Sequence, residues 1–247
     1  MFVDVHSHVV PSGDDGAPSI REGAELCRLA RAGGTRVLFA TPHVHAGWDA
    51  YPLTRERERR FETAFPLVAA AAARAGLELR RGWEVFPTEL RHRDPRDLAL
   101  EGTGALLLEF PGWWLGLDED GPLVLEGADR VTAAGLIPVV AHPERSRSLA
   151  SGLAVAHELV ARGCLLCANG DSALGRNGRA AEAAFWQLLD AGLLALVASD
   201  GHRRGRPPRL DDTQRLLARR YGAEAIAPLF DGSALPWRAE RRSADAP

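Results

Sequence analysis

The sequence predicts an α/β protein: a parallel sheet of seven strands with helices packed outside it. Three observations carry this. Short apolar runs of strand length alternate with longer stretches of helical period, the pattern of repeated strand–helix units. A polar residue with metal-binding or acid–base chemistry follows almost every run, as at the strand ends that form one face of a βα barrel. The chain has 247 residues, 46% apolar and 26% charged, enough to bury the core of a barrel-sized single domain.

In order, the first run is Phe2–Val5, followed by the helical stretch Ser19–Ala32, where Ser19 and Glu22 form a capping box. Arg36–Ala40 is the second strand, and Thr54–Ala75 is the helix after it, charged early and alanine-rich late. Leu77–Arg81, Ala105–Leu108 and Ile137–Ala141 are the third, fourth and fifth strands. The helix Leu149–Arg162 leads to the strand Cys164–Ala168, and the helix Arg179–Ala191 leads to the strand Leu194–Ala198. Leu210–Tyr221 is the last helix. Residues 1–237 are expected to form one domain, and the polar stretch Arg238–Pro247 a mobile tail.

Composition excludes several function classes. All 30 basic residues are arginines, so Schiff-base, PLP, Walker-A and kinase chemistry lack their lysine, as does a carbamylated-lysine metal bridge. Net charge is −3 with the arginines dispersed, which gives no footprint for nucleic acid. No apolar run reaches the ~18 residues needed to span a bilayer, and no basic-then-apolar leader opens the chain, so a cytoplasmic protein not embedded in a membrane is expected. The cysteines, Cys27, Cys164 and Cys167, number three, which suits a reducing compartment. Cys164 and Cys167 have C-x-x-C spacing but no second pair, and core packing is the expected role. The residues six positions after the cysteines are Gly33, Gly170 and Ala173, so a cysteine phosphatase, which needs arginine there, is excluded.

The polar strand ends are His6 and His8, His43 and His45, Glu84, Glu109, His142, Asn169, and Asp200 with His202. Imidazoles and carboxylates converging on one mouth suit divalent metal ions. His6 and His8 sit at i, i+2, on one side of an extended chain. Alone, such a pair often only satisfies hydrogen bonds; with further His, Asp and Glu at other strand ends, a metal site is the better reading. Glu84 and Glu109 follow apolar strands and need cations nearby. Arginines could supply the charge, but the histidine-rich surroundings favour metal.

The segments Asp4-Val-His6-Ser-His8, Asp14-Asp15-Gly16 with Ser19, Thr41-Pro42-His43, Gly82-Trp83-Glu84, Leu108-Glu109-Phe110, Ala141-His142-Pro-Glu-Arg145 and Ser199-Asp200-Gly-His202, with Gly205-Arg206-Pro-Pro208, resemble the PHP (polymerase and histidinol phosphatase) superfamily. Within it, the chain is similar to the CpsB/YwqE-type bacterial tyrosine-protein phosphatases of capsule and exopolysaccharide gene clusters. The likeness spans roughly residues 1–235, in the family's order.

The resemblance implies a distorted (β/α)7 TIM-like barrel, the PHP fold, with up to three metal ions, usually manganese, with iron or zinc as alternatives. One ion would be held by His6, His8, Glu84 and Asp200; a second would share Glu84 and add Glu109 and His142; a third would take Asp15, His43 and His202. Asp14 competes with Asp15, which is preferred because it directly precedes Gly16. Arg145 and Arg206 are implied as phosphate-binding catalytic residues, with planar, bidentate donors. A hydroxide bridging two ions is implied as the nucleophile, and His45 is the candidate general acid, with structure or substrate contact as its other possible role. Trp48, Tyr51, Trp113 and Trp114 either wall the mouth or pack under its loops. The implied substrate is phosphotyrosine on a partner, a tyrosine autokinase of polysaccharide synthesis. The competing readings are a PHP phosphoesterase acting on a small monoester such as histidinol phosphate, a metal-dependent amidohydrolase or nuclease, and a catalytically silent metal-binding partner of an assembly machine.

Overall fold

The computed structural model describes residues 1–45, 51–112, 120–150 and 152–238. Nine strands, all paired in parallel, are found among them. They are β1 (Phe2–Asp4), β2 (Thr35–Ala40), β3 (His43–Val44), β4 (Glu78–Arg81), β5 (Glu84–Val85), β6 (Ala105–Glu109), β7 (Ile137–Ala141), β8 (Leu165–Asn169) and β9 (Leu194–Ala198). The helices are α1 (Ile20–Ala32), α2 (Arg55–Arg74), α3 (Asp120–Ala133), α4 (Arg147–Ala150), α5 (Ala154–Ala161), α6 (Gly170–Ala173), α7 (Arg179–Asp190), α8 (Asp211–Tyr221), α9 (Ala223–Ile226) and α10 (Pro228–Asp231).

The strands form two sheets where one was expected, a three-stranded one in the order β1-β2-β4 and a six-stranded one in the order β3-β5-β6-β7-β8-β9. The second and third predicted strands are each interrupted and resume in the other sheet. After β2, the Thr41 N–H donates to Ser7 O at 2.7 Å, and Pro42, which has no N–H, accepts from Glu84 N at 3.2 Å. The two outer ends meet through a single parallel bridge between Ser7 and Gly201. β6 is buried along its whole length, as a strand covered on both faces should be.

Ser19 Oγ accepts the Glu22 N–H at 3.3 Å and starts α1, and Thr54 caps α2 in the same way. These two helices bury Leu26, Cys27, Phe61 and Val68 against Leu38 and Leu79. A larger cluster around Leu106, Leu108, Val140 and Phe185 packs the other helices onto the second sheet. Inside the strands, Val37, Phe39, Leu107, Val139 and Leu196 form a third cluster.

One helix expectation is corrected and one helix was not expected. The predicted helix Leu149–Arg162 is two helices, α4 and α5, because the chain turns at Gly152, where φ is +138°. The helix α3 did not stand out in the sequence. All three cysteines are buried free thiols, with Cys164 and Cys167 in or beside β8, as core packing requires. The Arg238 N–H still donates to Gly102 O at 3.0 Å. The rest of the expected tail, 239–247, lies outside the described residues.

Candidate metal centre

The His6–His8 segment is fixed by the chain that follows β9. Asp4 Oδ1 accepts the Ser199 N–H at 3.0 Å, the Asp200 N–H donates to His6 O at 2.9 Å, and the His8 N–H donates to Gly201 O at 2.7 Å. Both imidazoles thereby point inward with Nε2 atoms 3.2 Å apart. Parallel register does the same for the next pair, because His43 and Glu84 are direct partners on β3 and β5. Among the described residues, His142 (φ +36°) and Asp200 (φ +51°) are the non-glycine residues with positive φ. Both lie just past strand ends and face this centre, where backbone strain tends to collect.

Glu84, fully buried, lies in the middle. Its Oε2 is 3.0 Å from His6 Nε2, 3.3 Å from His8 Nε2 and 3.0 Å from His43 Nδ1, and its Oε1 is 2.8 Å from His142 Nε2. Asp200 Oδ1 is 3.4 Å from His6 Nε2, 3.6 Å from His8 Nε2 and 3.4 Å from His202 Nδ1. Asp15 Oδ1 is 3.6 Å from His43 Nε2 and 3.4 Å from His202 Nε2. Donor atoms within 4.8 Å of one another fall into four overlapping groups: His6, His8 and Asp200; His6, Glu84 and His142; His43, Glu84 and Glu109; and His8, Asp15, His43 and His202. All nine sequence-predicted ligands are thus brought together, although Glu109 shares a group with His43 rather than with His142.

The donor set fits divalent ions. Among the described residues, buried Glu84 Oε2 and Glu109 Oε2 accept no aligned hydrogen bond, although ring nitrogens crowd the former. Lone pairs aimed at common points, without aligned protons between them, are the arrangement ligands take around a cation. The electrostatics agree. Burial, and then the charge of Glu84, pushes the Glu109 carboxyl up to about 8. Burial opposes the charged form of His43, but Glu84, Glu109 and Asp14 outweigh it and raise the ring to about 10. Burial would also raise Asp200, but Arg206, His6 and His202 hold it well below the usual carboxylate range. Excess negative charge here recruits protons in the absence of metal.

An open cavity of about 280 Å³ exposes the upper part of the centre, lined by Glu109, His142, Asp200 and His202, among others. Arg145 and Arg206 reach the same wall. Asp200 Oδ2 accepts from Arg145 Nη1 at 3.1 Å, from Asn169 Nδ2 at 3.1 Å, and from Arg206 Nη2. His45 also lines the cavity, its ring stacked on Phe86 with centroids 3.8 Å apart. Tyr51 lines it too and stacks on His43 at 5.5 Å, which matches the first of the two roles left open for it. Trp48, Trp113 and Trp114 lie outside the described residues.

Three residues contribute in ways the sequence did not assign to them. The Asp14 carboxylate is buried, with Oδ2 3.0 Å from His8 Nδ1, so it orients the ring, whereas Asp15, its side chain 49% exposed, faces the cavity. Asn169 was visible as a polar strand end, but nothing in the sequence linked it to Asp200. Arg57 on α2 ties the mouth together by donating to Ser12 O, His43 O and Tyr51 O. It had no signal among so many arginines.

Comparison with known proteins gives the chain its relatives. The chain is 29% identical over 242 residues to the tyrosine-protein phosphatase YwqE of Bacillus subtilis (strain 168), covering 95% of this chain and 91% of that protein. It is 26% identical over 249 residues to the tyrosine-protein phosphatase CpsB of Streptococcus agalactiae serotype III (strain NEM316), covering 93% and 95%. Its structure matches one from the crystal structures of YwqE from Bacillus subtilis and CpsB from Streptococcus pneumoniae, described as unique metal-dependent tyrosine phosphatases. The TM-score is 0.70 at 26% identity, over 92% of this chain and 90% of that one. The family model for capsular polysaccharide synthesis, CpsB/CapC, matches residues 2–234, and the chain belongs to that family.

Proposed function

We propose that the chain is a metal-dependent protein-tyrosine phosphatase whose ligands are His6, His8, Asp15, His43, Glu84, Glu109, His142, Asp200 and His202. One observation carries the reading: these side chains converge beneath an open cavity whose wall presents two arginines, in a family of named tyrosine phosphatases. The reading takes up to three ions, manganese first with iron or zinc as alternatives, and the four overlapping donor groups support it. The substrate is phosphotyrosine on a partner protein, a tyrosine autokinase of capsule or exopolysaccharide synthesis. We read residues 1–237 as one domain, its two sheets forming a distorted (β/α)7 barrel, supported by the Ser7–Gly201 bridge between their outer ends. Three free thiols support a cytoplasmic setting. No helix of the described residues is long and apolar enough to cross a membrane.

Divalent ions supply, when bound, a nucleophile at neutral pH and Lewis-acid stabilisation of phosphoryl oxygens. Arg145 and Arg206 bind the remaining phosphoryl oxygens and offset the charge that develops on them. Both are anchored on Asp200 Oδ2, which fixes their direction before substrate arrives. Tyr51 stacks beside the substrate ring. The leaving phenol has a pKa of about 10, so it needs little protonation. We assign His45, whose position in the cavity lining supports the role, to give that oxygen a proton from a ring nitrogen.

The test is a panel of substrates offered to the manganese-loaded protein: phosphotyrosine peptide, phosphoserine peptide, histidinol phosphate and an oligonucleotide. The phosphotyrosine peptide should be hydrolysed fastest; were it the poorest of the four, the assignment would fail.

A further inference from the structure

A second cavity, also about 280 Å³, opens next to the first, and Arg145 lines both. Its floor includes buried Ala181 and Ala184 of α7, and its rim carries the exposed Arg147 and Arg179. Arg179 is the first residue of α7, a helix of 12 residues whose N-cap, Gly178, offers no side-chain acceptor to the first-turn N–H groups. The carboxylate at this cavity, among its described lining residues, is Glu144. It is 2% exposed, and its Oε1 is engaged by the Asn169 N–H at 3.0 Å and by the Ser172 hydroxyl at 2.7 Å. Arg147 and Arg179 therefore border a small apolar floor with Glu144 deep beneath them, while Arg145, on the shared wall, donates to Asp200 in the first cavity. That combination suits a side chain with an apolar stem and an anionic end.

We propose that this second cavity is a substrate subsite that takes an acidic side chain lying two or three residues from the phosphotyrosine. The stem rests on Ala181 and Ala184, and the carboxylate sits between Arg147 and Arg179. The inference rests on the phosphatase reading above. The shared wall supplies the geometry: an extended chain advances ~3.3 Å per residue, so a short segment of one polypeptide spans adjoining cavities. Arg145 serves the phosphoryl group on one side of that wall, and the subsite begins on the other.

The experiment uses the full chain loaded with manganese. It measures kcat and KM for free phosphotyrosine and for peptides carrying Glu, Gln or a second phosphotyrosine at each position from three before to three after the target residue. At one position two or three residues away, Glu should lower KM about three- to tenfold relative to Gln, with kcat unchanged. The Arg147→Ala/Arg179→Ala double variant should lose that difference and still hydrolyse free phosphotyrosine at the wild-type rate. Arg179→Lys, tested alone, should keep part of it. If no Glu–Gln difference occurs at any position, or if it survives in the double variant, the subsite is overturned and the phosphatase reading stands. A gain from the second phosphotyrosine without one from Glu overturns the carboxylate assignment in favour of a phosphoryl group. Failure to hydrolyse any phosphotyrosine compound removes the phosphatase reading, and the subsite with it.

Discussion

The buried Asp14 carboxylate lies 3.0 Å from His8 Nδ1, leaving His8 Nε2 to face Glu84 and Asp200 across the metal centre. Burial alone would raise Asp14, but the hydrogen bond and charge of His8, with the charge of His43, hold it below the usual carboxylate range. A carboxylate held ionised behind a ligand histidine fixes its tautomer and its direction. Asp14→Asn is therefore expected to fold normally and to bind manganese roughly 10- to 100-fold more weakly. Calorimetric titration with metal checks this, and unchanged affinity would show that His8 is held by other means.

Arg206 and Arg145 share Asp200 Oδ2, yet their purpose in this account is the phosphoryl group. Arg206→Ala should retain its metal and lose roughly 100- to 1000-fold in kcat, as when an oxyanion donor is removed. Metal content by elemental analysis, read alongside turnover, separates the two roles. Loss of metal in this variant would make Arg206 a prop for Asp200 instead.

Gly16 packs against His8, one of the proposed ligands. A Cβ at that position would lie 2.4 Å from His8 O and 2.5 Å from His8 Cβ, and neither atom is the end of a flexible side chain. Gly16→Ala should cost about 1–3 kcal/mol as an overpacking change and displace His8. Manganese affinity and thermal unfolding should fall together, and a variant with wild-type values for both would contradict the tight approach.

Cys27 gives a pH dependence away from the metal centre. Burial pushes its thiol up from an ordinary 9.0 to about 12. Its contribution is complete below pH 9 and is lost as pH rises towards 12, because the unfolded thiol ionises first. The loss is about 1.4 kcal/mol per pH unit within that window. Denaturant unfolding of wild type and Cys27→Ala should show the variant less stable at pH 8, with the gap narrowing by about 1 kcal/mol at pH 10. A gap independent of pH would mean the thiol ionises as easily folded as unfolded.

The strands β6, β7 and β9 were legible because burial on both faces leaves continuous apolar runs such as Leu106-Leu107-Leu108. β3 and β5 were not, since two residues carry no periodicity. Their existence depends on His43 and Glu84 meeting in register. α3 was hidden by Gly121, Pro122 and Gly127, poor helix formers. Gly127 is there for packing, as its Cβ would come within 2.9 Å of Pro87 Cβ. At the centre, residue types at strand ends pointed to nearly the whole donor set. Which of two adjacent aspartates faces the cavity depends on the loop's path; the family pattern, with Asp15 directly before Gly16, pointed to the one that does, but the place of Asp14 behind His8 emerged only with the fold. The Asn169 and Arg57 contacts are long-range hydrogen bonds between segments with no shared pattern.

The most direct measurement is phosphate release from a phosphotyrosine peptide by the protein stripped with a chelator and then resupplied with Mn²⁺. Hydrolysis should disappear on stripping and return on reconstitution, with Glu84→Gln, at the heart of the donor set, failing to recover. Stripped protein that kept its full rate would contradict the metal-based account.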